Sequence, residues 1–312
     1  MKVFITGIAG FVGAGLARTL LEDGAEVSGL VRADSDLWRL EEIKSRLDLR
    51  IGDLCNKKDV FEVISSVKPT VVFHLGSYGA YPRKQSDPEK ILETSVHGTL
   101  HVLLAAKKAG VGIVVNTGSS SEYGTKDHPM EEGEILAPNS YYAVGKAAQT
   151  HLCQHFARME GLPVITLRLF SVYGPFEEAS RLVPTAIAHA LAGSDVPIAH
   201  PDIARDFIYL SDVLEAYKRA GNMPELGGEV INVGTGVQHT LRDIYEAVVR
   251  ETGSSSKMKV DVYETQAFDT NMWVADVSKM RSKLGLTPKY SLEDGMRETV
   301  TWFSSYAHVY KK

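Results

Sequence analysis

The chain has 312 residues, 44% of them hydrophobic and 23% charged, with a formal net charge of -5. That supply of apolar residues suffices for one large α/β core and a smaller appendage, while the charge balance lacks the basic stripe of a nucleic-acid binder. Its two cysteines, Cys55 and Cys153, are too few for a disulfide framework and favour a reducing compartment.

No apolar run approaches the ~20 residues that span a bilayer. The opening stretch Met1 to Gly7 ends in glycine too soon for a signal peptide and reads as a first strand. The expected location is the cytoplasm. In chain order, Val3–Ile5, Val27–Val31, Leu49–Ile51, Val71–Leu75, Ile113–Val115 and Val164–Leu169 are apolar runs of strand length. Between them lie stretches with helical spacing, such as Leu16, Leu20 and Leu21, or Val60, Val63, Ile64 and Val67. The alternation predicts an α/β fold with a doubly wound parallel sheet. Helices on both faces explain why the strands are apolar throughout.

The rhythm changes after Tyr173. Gly- and Pro-rich loops follow, with two short strand-like runs, Asp206–Leu210 and Val230–Val233. A terminal helix is expected from Ser291 to Tyr310, with Met296, Val300, Trp302 and Phe303 on its apolar side. The expected division is a dinucleotide-binding Rossmann domain over 1–173, with returning segments near 206–236, and a mainly substrate-binding C-terminal lobe over 174–312.

The dinucleotide reading starts at Thr6-Gly7-Ile8-Ala9-Gly10-Phe11-Val12-Gly13, between the first strand and the first helix. Gly7 permits a sharp turn, Gly10 lets the backbone approach a pyrophosphate, and Gly13 lets helix and strand pack closely. The helix end then offers free N–H groups and a positive dipole to phosphates. Strand–turn–helix context makes the pattern far more specific than glycines alone. Phe11 and Val12 in the loop, Asp53 and Leu54 after the third strand and Leu75 after the fourth complete the expected cofactor contacts. After the second strand, where an NAD site places an acid for the ribose, the chain reads Val31-Arg32-Ala33-Asp34-Ser35. A guanidinium there suits a 2′-phosphate. NADP is favoured on this ground, while NAD with Asp34 on a plain ribose stays open.

The catalytic reading rests on Tyr142 and Lys146, four apart at the start of a helix and so about 6 Å from each other on one face. A phenol titrates near ~10, and using it at neutral pH requires a shift of perhaps two to three units, about 3–4 kcal/mol. An ammonium at ~4 Å supplies roughly that at an effective dielectric near 20. Strand alternation would put Ser119 and Ser121 on one face and Ser120 on the other. Ser119 is the expected partner of Tyr142, and Ser121 is expected to line the pocket.

These segments resemble the extended short-chain dehydrogenase/reductase family, in particular its nucleotide-sugar epimerases, dehydratases and 4-ketoreductases. The resemblance spans essentially the whole chain. It is carried by the glycine loop, Phe73-His74-Leu75, Gly98-Thr99, Ser119 to Gly124 and Tyr142 to Lys146. Leu167 to Pro175 and Arg205 to Val213 extend it into the second lobe. The family implies redox chemistry at C4 of a nucleoside-diphosphate hexose, with Ser119, Tyr142 and Lys146 catalytic and Tyr142 and Lys146 also touching the cofactor. Arg181 and Arg205 match positions that hold the substrate diphosphate in relatives. Many members carry asparagine where this chain has Ser95 and Ser171, the latter near the substrate phosphates.

The dehydratases place an acid where Ser121 stands. Glu122, one residue later, would point away by alternation, so C5 proton removal loses its base. That leaves a 4-keto-6-deoxyhexose reductase, favoured by Arg32 and by a likeness of residues 118–124 and 204–207 to such reductases, with the 4-epimerase as the alternative. A non-enzymatic NADPH sensor ranks last, since it has no need of the Tyr142–Lys146 spacing. The expected partners are a nucleoside-diphosphate sugar and a second copy of the chain, paired through the helices around 100–106 and 142–159. No metal is expected: His151 and His155 have a suitable spacing but no third ligand. His74, Trp38, Trp273 and Trp302 are expected to be packing residues, with a place bordering the substrate lobe left open for Trp273. Residues 82–88 and 174–205 are expected to select the sugar.

Overall fold

A computed structural model describes residues 1–80, 87–260, 262 and 269–306. Six parallel strands follow one another in the first half: β1 (Lys2–Thr6), β2 (Glu26–Val31), β3 (Asp48–Ile51), β4 (Val71–His74), β5 (Ile113–Ser119) and β6 (Val164–Leu169). Short strands come next, β7 (Ser171–Tyr173), β8 (Val196–Pro197), β9 (Ala204–Arg205) and β10 (Phe207–Tyr209). Then β11 (Val230–Val233) returns to the sheet beside β6. The seven-stranded order is β11-β6-β5-β4-β1-β2-β3. The chain winds outward from β1 to β3 and restarts on the other side of β1 with β4. Crossover connections therefore diverge at the β1/β4 boundary, the switch point where open α/β sheets bind ligands.

Successive strand residues face opposite helix layers, and both layers bury them. Val3 and Ile5 pack with α1 (Phe11–Glu22), while Phe4 packs with α2 (Lys57–Val67). The second layer goes on, after the short α3 (Pro88–Leu92), with α4 (Thr99–Ala109) and α5 (Tyr141–Met159). A separate apolar cluster joins α6 (Leu182–Leu191) to Tyr173, Phe207 and Tyr209. The first layer is completed by α7 (Leu210–Ala220). In the separate cluster, α8 (Leu241–Thr252) packs beside α6, and the segment between them includes the short β12 (His239–Thr240). After β13 (Met258–Lys259), α9 (Ser278–Leu284) returns to the first layer and α10 (Leu292–Tyr306) closes the separate cluster. Among the described residues, no helix is long and apolar enough to cross a membrane.

One row of the sheet is polar although it is buried. The register aligns Thr6 with His74, His74 with Asn116 and Asn116 with Thr166, from β1 through β6. None is more than 1% exposed. Such groups must find partners, and they do. Thr6 Oγ1 and His74 Nδ1 are 2.7 Å apart, and His74 Nε2 lies 3.0 Å from Thr99 Oγ1. Thr99 spends its hydroxyl proton on Ser95 O, and Thr6 Oγ1 accepts from Gly76 N–H. One assignment satisfies all four contacts: a neutral His74 with its proton on Nε2. Burial, with Lys146 a smaller cause, pushes its pKa down to about 3.

Several boundaries differ from the expectations. β4 stops at His74, and β10 is shorter than Asp206–Leu210 because Leu210 opens α7. A π-helical turn at Glu93–Gly98, which spacing did not indicate, joins α3 to α4. It brings Ser95 against α5 at Gly145, where an added Cβ would meet Ser95 Cβ at 2.9 Å. The terminal helix is seen to Tyr306, and 307–310 lie outside the described residues, as do 82–86 of the expected specificity loop.

Candidate active site

The first βα turn is shaped by glycine at the positions where any side chain would collide. Gly7 has a φ of 71°, and a Cβ there would sit 2.8 Å from Gly76 N, across the switch point. A Cβ on Gly13 would lie 2.2 Å from Gly7 O, far inside contact distance. Close packing of α1 on this turn leaves its N-terminus facing a cleft of about 750 Å³. No side chain caps α1 and no acid occupies its first turn, so its N–H groups and dipole are available to an anion. This cradle fits the pyrophosphate of a dinucleotide.

At the lip of the cleft, the Arg32 guanidinium pairs with Asp34 at 3.1 Å, and Arg32 N–H donates to Ser35 Oγ. Asp53 and Leu54 line the same wall. Asp53 Oδ1 accepts from Cys55 N–H in a tight turn.

At the other end, Ser140 caps α5 by accepting from Ala143 N–H at 3.1 Å. That starts the helix at Tyr141 and puts Tyr142 in its first turn, facing the cleft. Lys146 follows one turn later, only 1% exposed. Its Nζ lies 5.9 Å from the Tyr142 ring centroid and donates to Thr117 O at 2.8 Å and Gln149 Oε1 at 3.0 Å. Burial pushes the lysine pKa down to about 8, against the opposing charge of Glu122. Ser119 Oγ and Ser121 Oγ are 2.8 Å apart at the cleft wall. Alternation is not the cause, because the strand ends at Ser119 and residues 120–123 form a 3₁₀ turn. In that turn Ser120, which lines the cleft as well, accepts from Trp273 Nε1–H at 3.0 Å.

The same turn buries Glu122. Its Oε1 accepts from Ser119 N–H at 2.8 Å and its Oε2 pairs with Arg168 Nε at 2.9 Å. With Glu122 at 0% and Arg168 at 2% exposure, this carboxylate is a structural ion and does not reach the cleft.

Ser171, Arg181, Arg205 and Trp273 also line the cleft wall. Arg205 is paired with Asp269 at 3.0 Å and lies over the Trp273 ring, its carbon 5.1 Å from the centroid. Arg181 Nε is 3.5 Å from Glu177 Oε1. Glu177 is buried at the cleft, and burial pushes its pKa up to about 7 despite Arg181. Next to Arg205, Asp206 is fully buried and accepts from the N–H groups of Thr235, Gly236 and Ala275.

Among the residues predicted for the site, Gly7, Gly10, Phe11, Val12, Gly13, Arg32, Asp53, Leu54, Leu75, Ser119, Ser121, Tyr142, Ser171, Arg181 and Arg205 all line this one cleft. Lys146 does not line it; it lies beneath Tyr142 as a buried support. Sequence reasoning missed Glu177 and Arg39, which line the cleft, and Gln149, which lies behind it. The Trp273 indole both packs and borders the cleft, so the two readings of it hold together. Gln149 stands three residues after Lys146 on the same helix, a spacing that could have pointed to it. His151 is exposed, and His155 lies near Glu160 at 3.9 Å.

A glycine-cradled helix end facing a tyrosine–lysine pair across one cleft defines a dinucleotide-dependent dehydrogenase of the short-chain type. The model of the NAD dependent epimerase/dehydratase family matches residues 3–234. The chain is 31% identical to a UDP-glucose 4-epimerase of Mycolicibacterium smegmatis, over 97% of this chain and 98% of that protein. It is 26% identical to a dTDP-glucose 4,6-dehydratase of Salmonella typhimurium, over 97% and 92% of the two chains. The solved UDP-glucuronic acid 4-epimerase of Bacillus cereus, in complex with UDP-glucuronic acid and NAD, superposes with a TM-score of 0.88 at 26% identity, over 98% and 99%. The chain belongs to the NAD dependent epimerase/dehydratase family, a branch of the extended short-chain dehydrogenase/reductases, and is an enzyme.

Proposed function

We propose that this enzyme acts at C4 of a nucleoside-diphosphate hexose as a 4-epimerase. The burial of Glu122 against Arg168 argues against dehydration, and the relatives named as 4-epimerases carry the choice of epimerase over reductase. Removing water across C5–C6 needs a base at C5, and the only acid in the serine turn is spent inside the protein. Ser119, Tyr142 and Lys146 remain, a set suited to moving a proton on and off one sugar oxygen.

Residues Gly7 to Gly13, Arg32, Asp53, Leu54 and Leu75 would hold the dinucleotide, with Tyr142 and Lys146 at its other end. When bound, its nicotinamide supplies the acceptor and donor of hydride. Ser119 Oγ and Tyr142 would hold the C4 oxygen, with the phenolate taking the hydroxyl proton as the sugar is oxidised and returning it when the other face is reduced. An ammonium at ~6 Å stabilises that phenolate by about 3 kcal/mol at an effective dielectric near 20. Arg181 and Arg205 would pair with the diphosphate, exchanging Glu177 and Asp269 for phosphate oxygens, and Ser121 and Ser171 would contact the substrate. In this reading 1–173 is the dinucleotide domain, 174–312 the main substrate lobe, and the enzyme a homodimer.

A second reading, the 4-keto-6-deoxyhexose reductase using NADPH, is favoured by one observation: Arg32, and no acid, directly follows β2. The test is turnover with purified protein. Interconversion of UDP-hexoses without added cofactor supports the epimerase. Stoichiometric loss of NADPH absorbance with a nucleotide 4-keto-6-deoxyhexose transfers the assignment to the reductase. Failure of both refutes C4 chemistry.

A further inference from the structure

Lys146 is only 1% exposed, and a chain of side chains crossing three elements leads to its ammonium. Thr166 on β6 accepts from Asn116 Nδ2 on β5 at 3.2 Å. Asn116 Oδ1 accepts from Gln149 Nε2 on α5 at 2.6 Å. Gln149 Oε1 then accepts from Lys146 Nζ at 3.0 Å. All four residues are at most 1% exposed. The direction of the chain is fixed, because a reversed Gln149 amide would aim N–H donors at an ammonium that has only donors. Thr117 O takes a second lysine proton, so two of the three are engaged among the described residues.

We infer that Gln149 is a positioning residue that holds the Lys146 ammonium, charged and in place, beneath Tyr142. The amide presents the negative end of its dipole to the ammonium, and Asn116 and Thr166 on the rigid sheet keep it from turning away. Buried hydrogen bonds to a charged group have this force because nothing else solvates the charge. Gln149 does not line the cleft, so it acts through Lys146 alone. The inference rests on the proposed C4 chemistry for its link to turnover.

Other groups also face the pair. Glu122, from the turn after β5, favours the charged lysine, as does Cys153 further along α5, while burial opposes it. His74, on β4, is neutral, and Tyr217, on α7, faces Tyr142. Gln149 differs from these in touching the ammonium directly and carrying no charge of its own.

The test replaces Gln149 with Met, close in volume but unable to accept a hydrogen bond, and with Asn, which draws the amide back by one methylene. The kcat/KM profile is measured against pH for each. Expected is a window narrowed from both sides in Gln149→Met, the acid limb rising and the alkaline limb falling by about one unit each, with roughly tenfold lower turnover at neutral pH. Gln149→Asn should shift both limbs in the same sense by less, and it serves alone if the Met variant does not fold. A uniform loss of rate with both limbs unmoved would overturn the inference, since that is how a merely structural residue behaves. A second readout is independent of turnover: the phenolate absorbance of Tyr142, taken as the difference between each protein and its Tyr142→Phe partner. Its midpoint should rise in the Gln149 variants. If the parent enzyme turns over no nucleotide sugar, the C4 reading fails, while the absorbance titration still decides for or against Gln149.

Discussion

Glu122→Gln removes one charge from a pair that water does not reach, and its consequences can be worked through. Glu122 and Arg168 are 0% and 2% exposed. The amide keeps the shape of the carboxylate and its oxygen can still accept from Ser119 N–H, now at 2.8 Å. The guanidinium, however, loses its counter-ion at 2.9 Å and is left with a long contact to Glu132 O at 3.5 Å and the face of Tyr123. Stranding a buried charge costs about 3–5 kcal/mol. In a chain of this size each kcal/mol moves the melting temperature by about 2–4 °C, so a fall of about 10 °C is expected. Calorimetry of Glu122→Gln, Arg168→Met and the Glu122→Gln/Arg168→Met double variant measures it. The double variant should lose at least 2 kcal/mol less than the sum of the single changes, as coupled neighbours do. Below its lowered melting point, Glu122→Gln should keep kcat within about tenfold, about 1.4 kcal/mol, because the carboxylate contacts no substrate and acts on Lys146 only through its charge. A stable Glu122→Gln with kcat down a hundredfold would refute this reasoning. It would place Glu122 on the substrate and return dehydration to consideration.

Three further predictions follow from the same geometry. Gly13→Ala must push α1 away from Gly7 O, so affinity for either dinucleotide should weaken at least a hundredfold by calorimetric titration, about 2.7 kcal/mol; unchanged affinity would remove the cradle from the site. Tyr142→Phe should lower kcat by at least a thousandfold with KM nearly unchanged, since only the proton transfer is lost. His74 is held at a pKa of about 3 by burial, while the unfolded side chain titrates near 6.5. The unfolded chain therefore binds its proton first, so stability is full above pH 6.5 and falls as pH drops towards 3, by up to roughly 4–5 kcal/mol. Denaturant melts across that range should show a flatter profile in His74→Gln.

Much of this protein was legible from the sequence because its signals are local. Glycines at 7, 10 and 13 form a local pattern, and the crowding at Gly10 and Gly13 comes from Gly7 a few residues away, although Gly7 itself is hemmed in by Leu75 and Gly76. Strand-length apolar runs announced the sheet, since burial on both faces favours apolar residues along most of each strand. The four-residue step from Tyr142 to Lys146 is a property of any helix. Ser119 and Ser121 meet because residues 120–123 form a 3₁₀ turn, and not by the strand alternation expected of them.

What only tertiary structure decided lies in partners far apart along the chain. Arg168 claims Glu122 from 46 residues away, and Trp273 reaches Ser120 across 153. Gln149 meets Asn116 only because α5 packs on β5, and the row from Thr6 to Thr166 exists only in the register of four strands. Periodicity reports which face of an element is buried, but the identity of what buries it depends on strand order and helix packing. Those are settled by the whole chain at once, and with them the choice of which charges stay inside and which reach the cleft.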